Sequence, residues 1–199
     1  MSTKYEIIYA DPPWPYNSRC THSKTRFGGG VHGQYQVMSE LDILAIGQYL
    51  LPLCAKNSVL FMWATMPRLP LAIQAINAWG FRYATNGFTW IKTNPKAGTP
   101  FTGPGFYTAS NAELCLIGVR GKVAPIRKLV SSIVIEPRRE HSRKPDVVRE
   151  RIVEVFGDRP RLELFCRFPA PGWDAVGNGV TGRDIRDDLI ALAAEEASA

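Results

Sequence analysis

The 199 residues hold only four cysteines, at positions 20, 54, 115 and 166, and no two of them form a C-x-x-C pair. That spacing argues against a zinc site or a disulfide framework. Two of the four lie inside apolar runs (AELCLIG and LELFCRF), so reduced core thiols are expected, and no metal. Long hydrophobic stretches are also missing. Nothing approaches the ~20 apolar residues that cross a bilayer, and the first residues lack the basic and then apolar order of an export signal. The expectation is a cytoplasmic protein with no membrane partner. A triple glycine at 28–30 has no strand feeding it and no helix directly after it, and G-x-G-x-x-G is absent, which sets aside a nicotinamide-dependent oxidoreductase.

Acids are the scarcer charge: 18 Asp and Glu against 24 Lys and Arg leave a net charge of +6 and a pI near 9.3. The surplus is local. Between Arg120 and Arg151 ten Lys or Arg stand against four acids, an excess of six that equals the net charge of the whole chain. A polyanionic partner such as nucleic acid fits this distribution, and a solvated basic face is the plainer alternative. With 45% hydrophobic and 21% charged residues the chain has the composition of a soluble globular protein, and its length suits one domain over residues 1–199.

Strand-like and helix-like stretches alternate. Residues 5–10 are short, β-branched and aromatic and stop at a proline. Ser39 followed by Asp42 opens a capped helix with apolar residues at 41, 44, 45 and 50. An apolar run at 58–64 reads as a strand. A helix follows in which Leu71, Ile73, Ile76 and Trp79 share a face and Gly80 closes the end. Further strands are expected at 81–91, 113–119, 131–135 and in RLELFCRF. Pro145 opens a helix that Gly157 ends, and Asp184 has the place of an N-cap for a last helix. This alternation predicts an α/β fold, a three-layer and mostly parallel sheet with helices on both faces. Two polar segments rich in Gly, Pro and Thr, 17–34 and 93–111, are expected as lid loops.

The first strand runs into Asp11-Pro12-Pro13-Trp14. In open parallel sheets ligands bind beyond the carboxyl ends of strands, where Asp11 falls. Pro12 restrains Asp11 to extended geometry, and Pro13 restrains Pro12. Prolines carry no N–H, so the three residues offer a carboxylate and carbonyl oxygens with few competing donors. The complement of such an acceptor cluster is a planar amine with two N–H groups, as on adenine or, less well, cytosine. Trp14 has an aromatic face on which a base can stack. Acceptors that draw both hydrogens out of the ring plane localise the nitrogen lone pair for attack. A rigid turn with no chemistry is the alternative reading of the tetrapeptide.

At these residues the chain resembles the DPPW-type (MTA-like) adenine N6-methyltransferase family, related to the catalytic subunit of the mRNA N6-adenosine methyltransferase and with short bacterial and phage members. HGQYQVMSELDI, LFMWATMPRLPLAIQAINAWGF, TWIKTN, HSRKPDVVRERI, PRLELFCR and PGWDAVGN follow in the family's order. The resemblance covers roughly residues 5–178. It implies a Rossmann-like methyltransferase sheet and S-adenosylmethionine as methyl donor, with no metal. It implies donor contacts at Asp11, Lys144, Glu163, Leu164, Arg167 and Asn178. Catalysis falls on Asp11, Pro12, Pro13 and Trp14, and Trp14, Tyr16, Tyr35 and Glu113 are expected to face the target base. The family's Asp-Ile pair for the donor's adenine, normally upstream of DPPW, has no room in the ten residues before Asp11. Asp184 and Ile185 are its expected replacement, with an N-cap and a packed helix residue as the alternative. FPAPG replaces the family's His-Asn pair after the arginine.

The expected activity is transfer of methyl to the exocyclic N6 amine of adenine, with DNA favoured over RNA because the chain is short and has no separate target-recognition domain. The target base would be flipped out or single-stranded. Two alternatives remain, an RNA adenosine methyltransferase and a catalytically silent nucleic-acid-binding partner. A homodimer is left open.

Overall fold

The structure, a computed structural model, describes residues 4–15, 38–103, 107–139 and 143–198. Cys20 and the expected lid at 17–34 therefore lie outside the described residues. The central strand β1 (Tyr5–Ala10) runs parallel to β2 (Cys54–Ala64) on one side and to β6 (Arg161–Leu164) on the other. It is covered on both faces, so from Ile7 onward alternation is lost and it reads as a continuous apolar run. Strand β7 (Asp174–Val176) extends one edge in parallel. At the other edge β5 (Ile133–Pro137) lies parallel to β3 (Arg82–Thr93). Among the described strands only β4 (Ala112–Arg120) is reversed, antiparallel to both β2 and β3. The sheet order is β5-β3-β4-β2-β1-β6-β7.

Helices α1 (Glu40–Leu50), α2 (Leu69–Ala78) and α5 (Ile185–Ser198) cover the face that carries Ile8, Ala10, Leu60 and Leu116. Helix α3 (Asp146–Phe156) covers the other face, against Ile7, Tyr9, Phe61 and Trp63. The result is the three-layer, mostly parallel Rossmann-like α/β fold expected of the sequence. No helix among the described residues is long and apolar enough to cross a membrane. Cys54, Cys115 and Cys166 are buried free thiols.

Local signals placed most of these elements. The Ser39 hydroxyl accepts from the Asp42 N–H at 3.1 Å and starts α1. The phase of that helix differs from the expected stripe. Ile43, Ile46 and Leu50 are buried, whereas Leu41 is 78% exposed. Gly47 explains the rotation: a Cβ there would stand 2.5 Å from the Ala78 carbonyl oxygen, so this face alone lets α1 lie against the end of α2. Strand β7 and the four-residue helix α4 (Asn178–Thr181) escaped the sequence reading because three or four residues are too short to show a period. The segment RLELFCRF is strand only through Leu164, because Phe165 turns out of the sheet at φ 59°.

Most of the second expected lid is an arm that continues the β3–β4 hairpin. Bridges pair Thr93 with Pro100 and Gly103 with Ser110, and the Asn94 N–H donates to the Thr99 carbonyl at 2.8 Å. Because β4 is reversed, its first residues and the last residues of β1, β2, β3 and β6 meet at one end of the sheet, and the arm rises there.

Candidate active site

Asp11 follows the last residue of β1 and projects beyond that end of the sheet. The turn after it is braced. The Trp14 N–H donates to the Pro12 carbonyl at 2.8 Å, and the Met38 N–H donates to the Pro13 carbonyl at 3.3 Å, tying the turn to the start of α1. The carbonyls of the proline pair are thus not the unengaged acceptors expected, although each keeps a second lone pair. Trp14 also departs from expectation. Its side chain is 4% exposed, lies in the core under α1 and α2, and donates Nε1–H to the Trp63 carbonyl at 3.0 Å. A ring buried to this extent has no face free for a base, so Trp14 anchors the turn in place of stacking.

Four charges of alternating sign run from Asp11 into the sheet. Lys144, just before the Pro145 cap of α3, donates to Asp11 Oδ2 at 2.6 Å and lies 3.3 Å from Glu113 Oε2. Lys92, at the end of β3, pairs with the other oxygen of Glu113. Arg167 adds a second cation to Asp11, with Nη2 at 3.5 Å from the same Oδ2. The outer oxygen, Oδ1, accepts no bond among the described residues. One oxygen of Asp11 is therefore held by two cations, and the other is left for a donor from outside.

Burial penalises the Glu113 carboxylate, but Lys144 and Lys92 more than offset this and hold its pKa below the usual value of 4.5. Burial likewise works against the Lys144 ammonium, and the charges of Asp11 and Glu113 reverse it, raising its pKa above 10.5. The signs set a pH window. Glu113, depressed in the folded state, contributes stability above about pH 4.5 that is lost as pH falls through its folded pKa. Lys144, raised in the folded state, contributes below about pH 10.5 and loses that as pH rises further. We expect the difference in unfolding free energy between wild type and Glu113→Gln to be flat across neutral pH and to shrink below about pH 4.5. Denaturant titrations at stepped pH measure it, and a gap that holds steady to about pH 3 contradicts the assignment.

The remaining expected residues divide. Arg167 reaches Asp11 because the chain turns sharply after β6, where Phe165 adopts a left-handed φ of 59°. Gly177 and Gly179 close onto this turn, since a Cβ at either would stand under 3.0 Å from backbone of Phe165, Cys166 or Arg167. The turn is thereby over-determined, as strained backbone at a site must be. Asn178 begins α4 in this packed loop and is exposed. Asp188, 1% exposed, secures the loop by accepting from the Gly177 N–H and the Thr181 hydroxyl.

Glu163 lies on the α3 face of the sheet, and both its oxygens accept from Arg149 at 2.7 Å. It holds α3 rather than standing open as a donor contact. Leu164 is fully buried in the opposite layer. Asp184 caps α5 and binds Arg186 through both oxygens, while Ile185 is 5% exposed in the core. These are the plainer roles open to that pair in the sequence. They are not remote from the turn, because Arg186 also pairs with Asp42 in the first turn of α1 at 3.2 Å. Tyr16 and Tyr35 lie outside the described residues. Sequence reasoning missed Lys92 and Arg149. TWIKTN places Lys92 at a strand end beside the site, and Arg149 stands three residues after Asp146, the spacing of an intrahelical pair.

A family model described as MT-A70 matches residues 5–179. The chain belongs to the MT-A70 family. It is 30% identical over 193 residues to the Type II methyltransferase M.MunI of Mycoplasma sp., a match covering 87% of this chain and 77% of that relative. It is 25% identical over 191 residues to an N(6)-adenosine-methyltransferase MT-A70-like protein of Arabidopsis thaliana, covering 94% of this chain and 25% of the relative. A putative N(6)-adenosine-methyltransferase MT-A70-like protein of Medicago truncatula is 24% identical over 188 residues, with 93% and 28% covered. The chain thus spans about a quarter of the length of these plant proteins. The MT-A70 match begins at the first residue of β1 and ends just after Asn178, so it takes in the whole Asp11 cluster and stops short of Asp184 and Ile185.

Proposed function

We propose that this MT-A70 protein transfers a methyl group from S-adenosylmethionine to the exocyclic N6 amine of adenine in DNA. The observation that carries the reading is Asp11, with one carboxylate oxygen held by Lys144 and Arg167 and the other open, on a turn braced by Pro12 and Pro13 inside the family match. DNA is favoured because the match to M.MunI covers 77% of that relative, against about a quarter of the plant proteins.

The donor's amino-acid end fits this cluster: its ammonium finds an acceptor in Asp11, and its carboxylate finds donors in Lys144 and Arg167. Asn178 and Asp184 are the proposed contacts for its ribose and adenine, Ile185 being packed in the core. When bound, the donor supplies an electrophilic methyl on a positively charged sulfur. The chain's own residues do the rest. Asp11 Oδ1 and a proline carbonyl accept the two N–H groups of the target amine and hold its lone pair out of conjugation. The new N–C bond forms as the S–C bond breaks, and the nitrogen gains positive charge beside the Asp11 carboxylate. Asp11 stabilises that charge and lies in place to take the departing proton. Glu113 keeps Lys144 against Asp11 and borders the base. Proximity supplies the further advantage of an in-line arrangement.

The test is to incubate the protein with methyl-labelled donor and matched single-stranded and duplex DNA and RNA, and then to identify the modified nucleoside by mass spectrometry. N6-methyldeoxyadenosine from DNA is the expected product. Label only in RNA adenosine moves the substrate to RNA, the reading that the names of the plant relatives favour. Label in neither overturns the enzyme reading and leaves the silent binding partner.

A further inference from the structure

Half of the ten cations of the basic stretch have a carboxylate partner among the described residues, Lys144 in the Asp11 cluster and four arginines elsewhere. Arg127 pairs with Glu154, and Arg139, Arg143 and Arg149 converge on Asp146. Arg138 differs. Its guanidinium carbon stands 3.5 Å from the centroid of the Phe101 ring, and no carboxylate among the described residues pairs with it. Its backbone is fixed as well, since its N–H donates to the Thr93 carbonyl at 3.1 Å. Stacking covers one face of the guanidinium, the residue is exposed, and a planar N–H fork of this kind suits bidentate phosphate recognition.

The location gives this fork its meaning. Phe101 lies on the arm, whose described residues are 94–103 and 107–110, and its N–H donates to the carbonyl of Lys92, the residue that pairs with Glu113. The fork therefore sits two residues and one ion pair from the charges that end on Asp11. The same arm carries Tyr107, which is 101% exposed. An aromatic ring fully in water at the lip of a site is available to stack on a base.

We infer that Arg138, stacked on Phe101, and Tyr107 form a surface that grips the strand beside the target adenine, Arg138 bonding a backbone phosphate and Tyr107 stacking on a neighbouring base. This rests on the proposed action on nucleic acid. The two contacts have separable signatures. A phosphate contact releases a counterion and so sets the salt dependence of binding, whereas stacking changes affinity at every salt concentration.

The experiment measures fluorescence anisotropy of labelled single-stranded oligonucleotides, DNA and RNA, each with one adenine, between about 50 and 200 mM KCl. Arg138→Gln is expected to weaken binding about fivefold and to reduce the log–log salt slope by about 0.7. Arg138→Lys keeps the charge and therefore keeps the slope. Tyr107→Leu is expected to weaken binding about fivefold or more with the wild-type slope. Arg159→Ala, whose partner Glu6 lies at the opposite end of β1, is expected to match wild type in both. A wild-type slope in Arg138→Gln, or wild-type affinity in Tyr107→Leu, overturns the assignment. If such variants match a wild type that binds and methylates, the arm assignment fails and the enzyme reading stands. If the wild type binds and methylates neither nucleic acid, both fall.

Discussion

Asp11→Asn is expected to slow methyl transfer by about 10²–10⁴-fold, the range for losing a charge that stabilises the transition state and receives a proton. The substitution keeps the shape of the side chain, so the loss reports charge. It acts twice: an amide cannot offset positive charge growing on the target nitrogen, and its neutral oxygen, though still an acceptor, no longer balances the charges of Lys144 and Arg167. Oligonucleotide affinity is expected to survive, because the strand contacts proposed above lie on the arm and at Arg138. Single-turnover rates with labelled donor, set beside anisotropy titrations, separate the two effects. A variant within tenfold of the wild-type rate would remove Asp11 from the chemistry, and an equal loss of affinity would make it a structural residue.

Arg149→Ala is expected to cost about 3–5 kcal/mol of folding stability. Arg149 is 7% exposed and Glu163 6%, and the two share a bidentate pair while Arg149 also bonds Asp146 at 2.8 Å. The arginine gains from this arrangement: burial would lower its pKa, and the Glu163 carboxylate more than offsets that. Truncation leaves Glu163 a buried carboxylate with the weak Cys166 thiol as donor and no cation, which is far costlier than losing an exposed pair. Replacing both partners together by apolar residues, as in Arg149→Met with Glu163→Leu, is expected to cost much less. Urea unfolding of the two variants measures the difference. A single-variant loss under about 1 kcal/mol, the range of surface pairs, would show that water reaches Glu163.

Much of the fold was legible because its signals are local. Ser39 and Asp42 form a cap within one turn, Gly80 and Gly157 carry the positive φ that ends their helices, and Asp184 bonds its own helix start. Asp11-Pro12-Pro13 was legible as a site for the same reason, since its rigidity and its place after a strand are written in consecutive residues. What was hidden depends on partners far along the chain. Trp14 reads equally well as a stacking platform or as an anchor, and the choice was made by the carbonyl of Trp63, 49 residues away. Glu163 reads as a site acid until Arg149 is placed opposite it. The direction of β4 was also hidden, because a strand covered on both faces shows an apolar run with no sign of its orientation.

That reversed strand has a consequence for how the protein can change. Two strands joined directly at the catalytic lip need no crossover helix, so the connection between Thr93 and Ala112 is free to lengthen, shorten or be exchanged without a change in sheet order. On the surface proposed above, grafting this connection from one MT-A70 protein to another is expected to change which nucleotides bind while the Asp11 cluster stays in place.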